Sequence, residues 1–196
     1  MKIIFATKNA GKVKEVKLML SELNAEILTM TEAGIDIDID ENGKTFEDNA
    51  IIKAKAVMEA SGCVSISDDS GLEIDYIGKK PGVHSARFMG EETPYEVKNA
   101  KILEMLEGVD EKERTARFVS VIAAAFPDGK VITARGTVEG IIAYEPKGTN
   151  GFGYDPIFFY PPFGKTLSEI DVELKNSISH RGKALEAMKE KLKGLI

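Results

Sequence analysis

The chain has 196 residues, 43% of them hydrophobic and 30% charged. That is enough to bury one substantial core, and no apolar run approaches the roughly 18 to 20 residues that cross a bilayer. A formal net charge of −6 argues against a general nucleic-acid binder, whose phosphate contacts need clustered Lys and Arg; it leaves room for a small anion held by a few local cations. The lone Cys63 can form neither an internal disulfide nor a structural zinc site, and residues 1–6 are too short for a secretory apolar segment, so a cytoplasmic, reducing address is expected.

In chain order, residues 2–6 read as a buried strand, and Val13, Val16, Leu20 and Leu23 recur at helical spacing. A strand therefore feeds a helix through Thr7-Lys8-Asn9-Ala10-Gly11-Lys12. Ile35, Ile37 and Ile39 alternate with Asp36, Asp38 and Asp40, the period of a half-buried strand. Thr45 with Asp48 predicts an N-cap, and Phe46, Ala50, Ile51, Ala54, Val57 and Met58 give the next helix an apolar face that stops near Gly62. Cys63 reads as buried filler at the start of a short strand, 64–67, ending in Asp68-Asp69-Ser70-Gly71; Leu72-Glu73-Ile74 either continues it or pairs with it.

A turn is expected at Lys80-Pro81-Gly82. Thr93, Pro94 and Glu96 read as N-cap, first helical residue and capping-box partner of a helix running to Gly108. The β-rich runs 117–126 and 130–142, joined by Pro127-Asp128-Gly129, predict a hairpin. A glycine-rich loop at 146–156, a strand at 157–159 and a C-terminal helix marked by Leu185, Met188, Leu192 and Leu195 follow. No repeat or linker interrupts this order, so residues 1–196 are expected to form one α/β domain with a mixed sheet.

Four segments could carry chemistry. The Thr7 to Lys12 turn offers free backbone N–H groups and two lysines, Lys8 and Lys12, to an anion; the ordinary alternative is a solvated turn, and the spacing is not that of a Walker A loop. Asp68 and Asp69 could serve one metal site with Glu41 if the backbone turns at Gly71, or could simply cap local N–H groups. In the segment 148–156, Phe152 and Tyr154 offer flat surfaces for a base, or else pack beneath the loop. Lys175, His180 and Arg181 gather donors near the last helix, which Ser179 can cap; solvated surface charge is the alternative, and His84 is read as structural.

Taken together, these segments resemble the inosine triphosphate pyrophosphatase family, the Ham1-like or RdgB-like enzymes acting on non-canonical purine nucleoside triphosphates. The resemblance covers the whole chain. It rests on residues 6–12 with Glu15, Glu41 with Gly43-Lys44-Thr45-Phe46 and Asn49-Ala50, Asp68-Asp69-Ser70-Gly71-Leu72 and residues 81–87. Gly151-Phe152-Gly153-Tyr154-Asp155-Pro156, Lys175-Asn176 and Ser179-His180-Arg181-Gly182 complete it.

The resemblance implies a two-lobed α/β fold around a long curved mixed sheet, an active site in the cleft between lobes, and a homodimer. It implies hydrolysis of ITP, dITP and XTP to monophosphate and pyrophosphate, cleansing the nucleotide pool of deaminated purines. Asp69 would be the general base and Glu41 and Asp69 the Mg²⁺ ligands, with Asp68 in second rank. Thr7, Lys8, Asn9, Ala10, Gly11, Lys12, Lys53 and Ser70 would hold the phosphates, and Phe152, Gly153, Tyr154, Asp155, Lys175, His180 and Arg181 the base. The partner is then a small nucleotide, with no nucleic acid and no membrane. The competing readings are a phosphatase releasing orthophosphate and a nucleotide-binding regulator without turnover.

Overall fold

The computed structural model describes residues 2–7, 13, 16, 17, 20, 21, 23 and 25–195. It shows a mixed α/β fold on one long mixed sheet of β1 (Lys2–Phe5), β2 (Glu26–Thr29), β3 (Val64–Ile74), β4 (Lys80–Pro81), β5 (Thr115–Ala125), β6 (Val131–Ile142), β7 (Phe158–Tyr160) and β8 (Lys165–Thr166), in the order β2-β1-β3-β5-β6-β7-β8 with β4 paired to β3. The chain divides into two compact units. The first comprises Met1–Asp69, Ser120–Gly136 and Lys183–Ile196, and the second Ser70–Val119 and Thr137–Gly182.

In the first unit, β1 (Lys2–Phe5) lies parallel to β2 (Glu26–Thr29) and to β3 (Val64–Ile74). Successive side chains of a strand point to opposite faces, and β1 is covered on both. Ile3 and Phe5 join Val16, Leu20 and Ile66 and the C-terminal helix residues Leu185, Met188 and Leu192, whereas Ile4 and Ala6 pack with Met30 and Val57. Each such side chain, fully buried, contributes about 1.5–3 kcal/mol, which explains why this run carries no polar alternation. Of the residues whose spacing predicts a helix here, Val13 and Val16 are helical, whereas Leu20 lies in a turn and Leu23 in a bend.

Helix α1 (Phe46–Ser61) starts and stops where its sequence dictates. Thr45 accepts from the Asp48 N–H, Asp48 returns the bond to the Thr45 N–H, and Gly62 closes the helix in the left-handed region at φ 66° with its N–H on the Met58 carbonyl. Cys63, expected to be buried, is half-buried beside this core. The segment around Ile35, Ile37 and Ile39 departs from expectation. Its burial alternates as predicted, but it forms no strand; extended backbone over an apolar surface gives the same period without a ladder partner.

The second unit packs around Leu72, Ile74, Ile102, Leu106, Phe118 and Phe158. Strand β3 runs 11 residues, so the acidic motif lies within it and Gly71 makes no turn. Leu72 and Ile74, both fully buried, supply the reason: they continue the alternation that residues 64–67 begin. Antiparallel to its end lies β4 (Lys80–Pro81), where a turn was expected. Helix α2 (Tyr95–Met105) starts one residue later than the motif suggests, where the Thr93 hydroxyl donates back to the Met89 carbonyl instead of capping, and it ends before Gly108, with Leu106 as its C-cap.

The hairpin of β5 (Thr115–Ala125) and β6 (Val131–Ile142) forms around Pro127-Asp128-Gly129. Strand β7 (Phe158–Tyr160) pairs antiparallel with β6 and with β8 (Lys165–Thr166). Two helices close the chain, α3 (Val172–Ile178), which the spacing does not reveal, and α4 (His180–Lys193), beyond which Leu195 is exposed.

Across the second unit Arg117 holds Asp75 through both guanidinium Nη atoms, at 2.9 and 2.8 Å, and Glu139 at 2.9 Å. The Arg117 hydrogen bonds, then that of Thr115, hold the Asp75 carboxyl below its ordinary value. The folded protein thus binds this proton less readily than the unfolded chain. The stabilisation is present above the unfolded carboxyl pKa of about 3.9 and is lost as pH falls through the depressed folded value. Urea titrations from pH 7 to pH 3 are expected to show a shallower acid loss of stability in Asp75→Asn than in the parent.

Candidate functional site

In the first unit, α1 carries Asn49 and Lys53 four residues apart, hence on one helical face. Both reach the acidic motif of β3. The Asn49 amide donates to Asp69 Oδ2 at 3.2 Å, and its own oxygen accepts from the Gly43 N–H at 2.8 Å, fixing the loop that bears Glu41. A Cβ at Gly43 would sit 2.6 Å from that Asn49 oxygen, so the close approach requires glycine.

Lys53 donates to Glu41 Oε2 at 2.8 Å and lies 3.6 Å from Asp69 Oδ1. Asp68, 2% exposed, adds a third carboxylate to its field. All three carboxylates thus act on the Lys53 ammonium. Burial raises the Asp69 carboxyl above its ordinary range and Glu41 and Asp68 raise it further, outweighing Lys53 and Asn49. Burial also works against the Lys53 charge, but Asp69, Glu41 and Asp68 together overcome it and the lysine pKa rises.

Beside this cluster opens a cavity of about 290 Å³, lined by Thr7, Ile37, Asp38, Glu41, Lys53 and Asp68 among others. Of the two adjacent carboxylates of β3, Asp68 lines it, whereas Asp69 engages Asn49 and Lys53. Adjacent strand residues face opposite ways, and with no turn at Gly71 the two carboxylates separate accordingly. Among the described residues no three His, Cys, Asp or Glu side chains converge as a ready-made metal cage. The donor set nevertheless suits a hard divalent cation, since Mg²⁺ takes one or two carboxylates and completes its shell with water and phosphate oxygens. Lys8, Asn9, Ala10, Gly11 and Lys12 lie outside the described residues; Thr7, which lines the cavity, donates its N–H to Phe5.

In the second unit the glycine-rich loop is anchored by the Ser168 carbonyl, which accepts from Thr149 and Asn150 at 3.1 and 3.0 Å. Gly148, at φ 83°, has no space for a side chain, because a Cβ would lie 2.2 Å from that carbonyl group. At Gly151, φ 77°, an added Cβ would lie 2.3 Å from Asp155 Oδ2. Asp155, 3% exposed, accepts the Phe152 N–H at 2.8 Å and forms an ion pair with Lys175 of α3. The Lys175 ammonium lies 4.7 Å from the centre of the Phe152 ring, itself 72% exposed. Charge, aromatic face and carboxylate thus meet at one point.

Of the two flat surfaces expected from the loop, only Phe152 is open. Tyr154 is a core residue, its hydroxyl donating to the Ser85 carbonyl at 2.7 Å. Ser70 is half-buried in β3, and the His180 ring stacks on Phe118 with centroids 5.1 Å apart. Arg181 is half-buried in the first turn of α4, whose Gly182 N–H is capped by Ser179 Oγ at 2.9 Å. His84, read as structural, is exposed. Sequence reasoning missed Asn49 as a site residue. The clue was available: it is an amide on the apolar face of α1, between Phe46 and Ala50, and a buried amide needs partners.

A family model described as the Ham1 family matches residues 3–191. A Desulforamulus reducens protein named dITP/XTP pyrophosphatase is 49% identical over 195 residues, spanning 100% of this chain and 97% of its own length. A Clostridium perfringens protein of the same name is 46% identical over 201 residues, spanning 100% and 98%. Among solved structures, the Staphylococcus aureus Ham1 protein superposes with a TM-score of 0.93 at 38% identity over 100% of both chains. A HAM1 protein from Coxiella burnetii gives 0.93 at 40% over 99% of both.

Proposed function

Because the chain belongs to the Ham1 family, we propose that it hydrolyses the deaminated purine nucleoside triphosphates ITP, dITP and XTP to monophosphate and pyrophosphate. The names of its relatives support the enzyme class and two of these substrates. The observation that carries the reading is the carboxylate cluster of the first unit, where Glu41 and Asp69 meet the Lys53 ammonium and Asp68 lines the cavity beside it. Carboxylate oxygens of this kind suit a hard divalent cation, and a triphosphate substrate brings one with it.

Glu41 and Asp69 would hold Mg²⁺, which supplies stabilisation of charge on the phosphate and eases deprotonation of water. Asp69 accepts the proton of the water that attacks the α-phosphorus, its raised pKa making it a better acceptor than an exposed carboxylate. The bond from the α-phosphorus to its bridging oxygen breaks and pyrophosphate leaves. Lys53 and Thr7, with residues 8–12 and Ser70, hold the triphosphate, and donors on the departing oxygens stabilise the charge that builds there.

The exposed ring of Phe152, with the Lys175 ammonium over it, Asp155 paired to that ammonium, and His180 and Arg181 nearby in sequence, takes the base. Gly153 and Tyr154 shape the loop that carries it. Donors aimed at position 6 favour the keto oxygen of hypoxanthine and xanthine over the amino group of adenine; an unmatched buried donor costs about 1–3 kcal/mol. We place the protein in the cytoplasm as a homodimer. No helix among the described residues is long and apolar enough to cross a membrane.

The test is a panel of ITP, dITP, XTP, ATP, GTP and pyrimidine triphosphates with Mg²⁺, in which both products are measured. ITP, dITP and XTP are expected to give monophosphate and pyrophosphate with kcat/KM at least roughly 10²-fold above ATP. Orthophosphate as the first product would assign a phosphatase, equal rates across the panel would remove the purine-editing role, and binding without turnover would make the chain a regulator.

A further inference from the structure

Two polar side chains are buried in the second unit where neither phosphate chemistry nor packing asks for them. On α2, Tyr95, Lys98 and Asn99 lie at positions i, i+3 and i+4 and so share a face. Lys98 is 1% exposed; its ammonium donates to the Ala86 carbonyl at 2.6 Å and sits 4.8 Å from the centre of the Tyr95 ring. Asn99 is 5% exposed and its amide donates to the Gly153 carbonyl at 3.1 Å. Tyr95 meets Tyr154 edge-on at 5.2 Å, and the Tyr154 hydroxyl returns to Ser85.

One helical face therefore fastens two chain segments far apart in sequence, the 82–87 segment through Ala86 and the glycine-rich loop through Gly153. An apolar residue would fill the Asn99 position equally well. What the amide adds is direction, because a hydrogen bond fixes where the carbonyl lies whereas dispersion contacts do not. The carbonyl it fixes belongs to the residue immediately after Phe152, whose ring projects into solvent at 72% exposure with little of its own packing.

We propose that Asn99, supported by Lys98, is a positioning residue for nucleobase recognition: its amide holds Gly153 so that the Phe152 ring and the Asp155–Lys175 pair are presented together. This rests on the reading of Phe152 as the surface that takes the base. Loss of the donor lets the loop wander, so the base is bound less well in ground state and transition state alike, and KM rises while kcat, set in the carboxylate cluster, holds.

The chain has no tryptophan, so Phe152→Trp installs a single indole reporter. Asn99→Asp keeps the shape of the side chain and removes the donor; Asn99→Leu keeps the volume and serves as the second variant. In the Phe152→Trp background, Asn99→Asp is expected to lower the fluorescence anisotropy of the nucleotide-free protein while thermal unfolding stays cooperative. In the parent, Asn99→Asp is expected to raise KM for ITP about tenfold with kcat within about twofold, the size of one well-placed hydrogen bond.

Phe152→Ala separates the two layers of the argument. An unchanged KM in Phe152→Ala removes the base-stacking reading and the inference with it. A raised KM in Phe152→Ala beside unchanged KM and anisotropy in Asn99→Asp overturns the inference alone, as would a loss confined to kcat.

Discussion

Asp69→Asn is expected to lower kcat for ITP hydrolysis by roughly 10³-fold while leaving the protein folded, since removal of a positioned general base alone is worth 10²–10⁴-fold. Asparagine keeps the shape that the Asn49 amide meets at 3.2 Å. It also removes one of three carboxylates crowded around Lys53, so the cluster loses like-charge repulsion, and Lys53 keeps Glu41 at 2.8 Å. The melting temperature should therefore hold or rise as activity disappears, a combination that a merely structural role for Asp69 would not produce. Pyrophosphate release under saturating ITP and Mg²⁺, measured beside a thermal melt, checks both halves. Full turnover in Asp69→Asn would place the base elsewhere, and collapse of the fold would leave Asp69 with a structural role only.

The parts of the fold that were legible in the sequence are those in which a local rule is sufficient. Thr45, Asp48 and Gly62 bracket α1 because caps answer to the backbone groups of a helix end, and Pro127-Asp128-Gly129 turns the β5–β6 hairpin for a similarly local reason. The failures are those in which a distant partner decides. Ile35, Ile37 and Ile39 alternate like a strand, but a strand needs a free edge to pair with, and none is taken up there. At Asp68 to Gly71 the composition leaves a turn and a continued strand both open, and Leu72 and Ile74 decide for the strand by drawing the chain onward into the core of the second unit.

The site divides in the same way. Glu41, Lys53 and Asp69 were legible as residue types suited to phosphate chemistry, and the structure brings them within hydrogen-bond or ion-pair distance. Asn49 was hidden because an amide inside an apolar stripe looks like a defect until its two partners are seen. Tyr154 misled in the other direction. A tyrosine in a glycine-rich loop resembles an exposed platform, and only the Ser85 carbonyl, 69 residues away, reveals it as core.

The largest stability effect is expected at Arg114, which is 2% exposed and whose guanidinium donates to three backbone carbonyls, Ile142, Leu106 and Ala143, each at 2.7 Å. Tyr144 covers it, with the guanidinium carbon 4.4 Å from the ring centre. Leu106 closes α2, where the helix dipole leaves carbonyls in need of a cation, and Ile142 ends β6, its N–H donating back to the Arg114 carbonyl at 2.9 Å. A planar fork of donors is what lets one side chain join these segments. Arg114→Met fills the volume but strands the three carbonyls, and at about 1–3 kcal/mol for each buried acceptor left unsatisfied the expected cost is about 3–5 kcal/mol. For a chain of this size each kcal/mol shifts the melting temperature by about 2–4 °C, so a drop of about 10 °C is expected. Arg114→Lys should recover only part of the loss, because one ammonium at the end of a flexible stem cannot meet three fixed carbonyls. Urea unfolding of the three proteins decides the matter: a cost below about 1 kcal/mol for Arg114→Met, within the range of ordinary point substitutions, would show that these carbonyls are satisfied without the guanidinium.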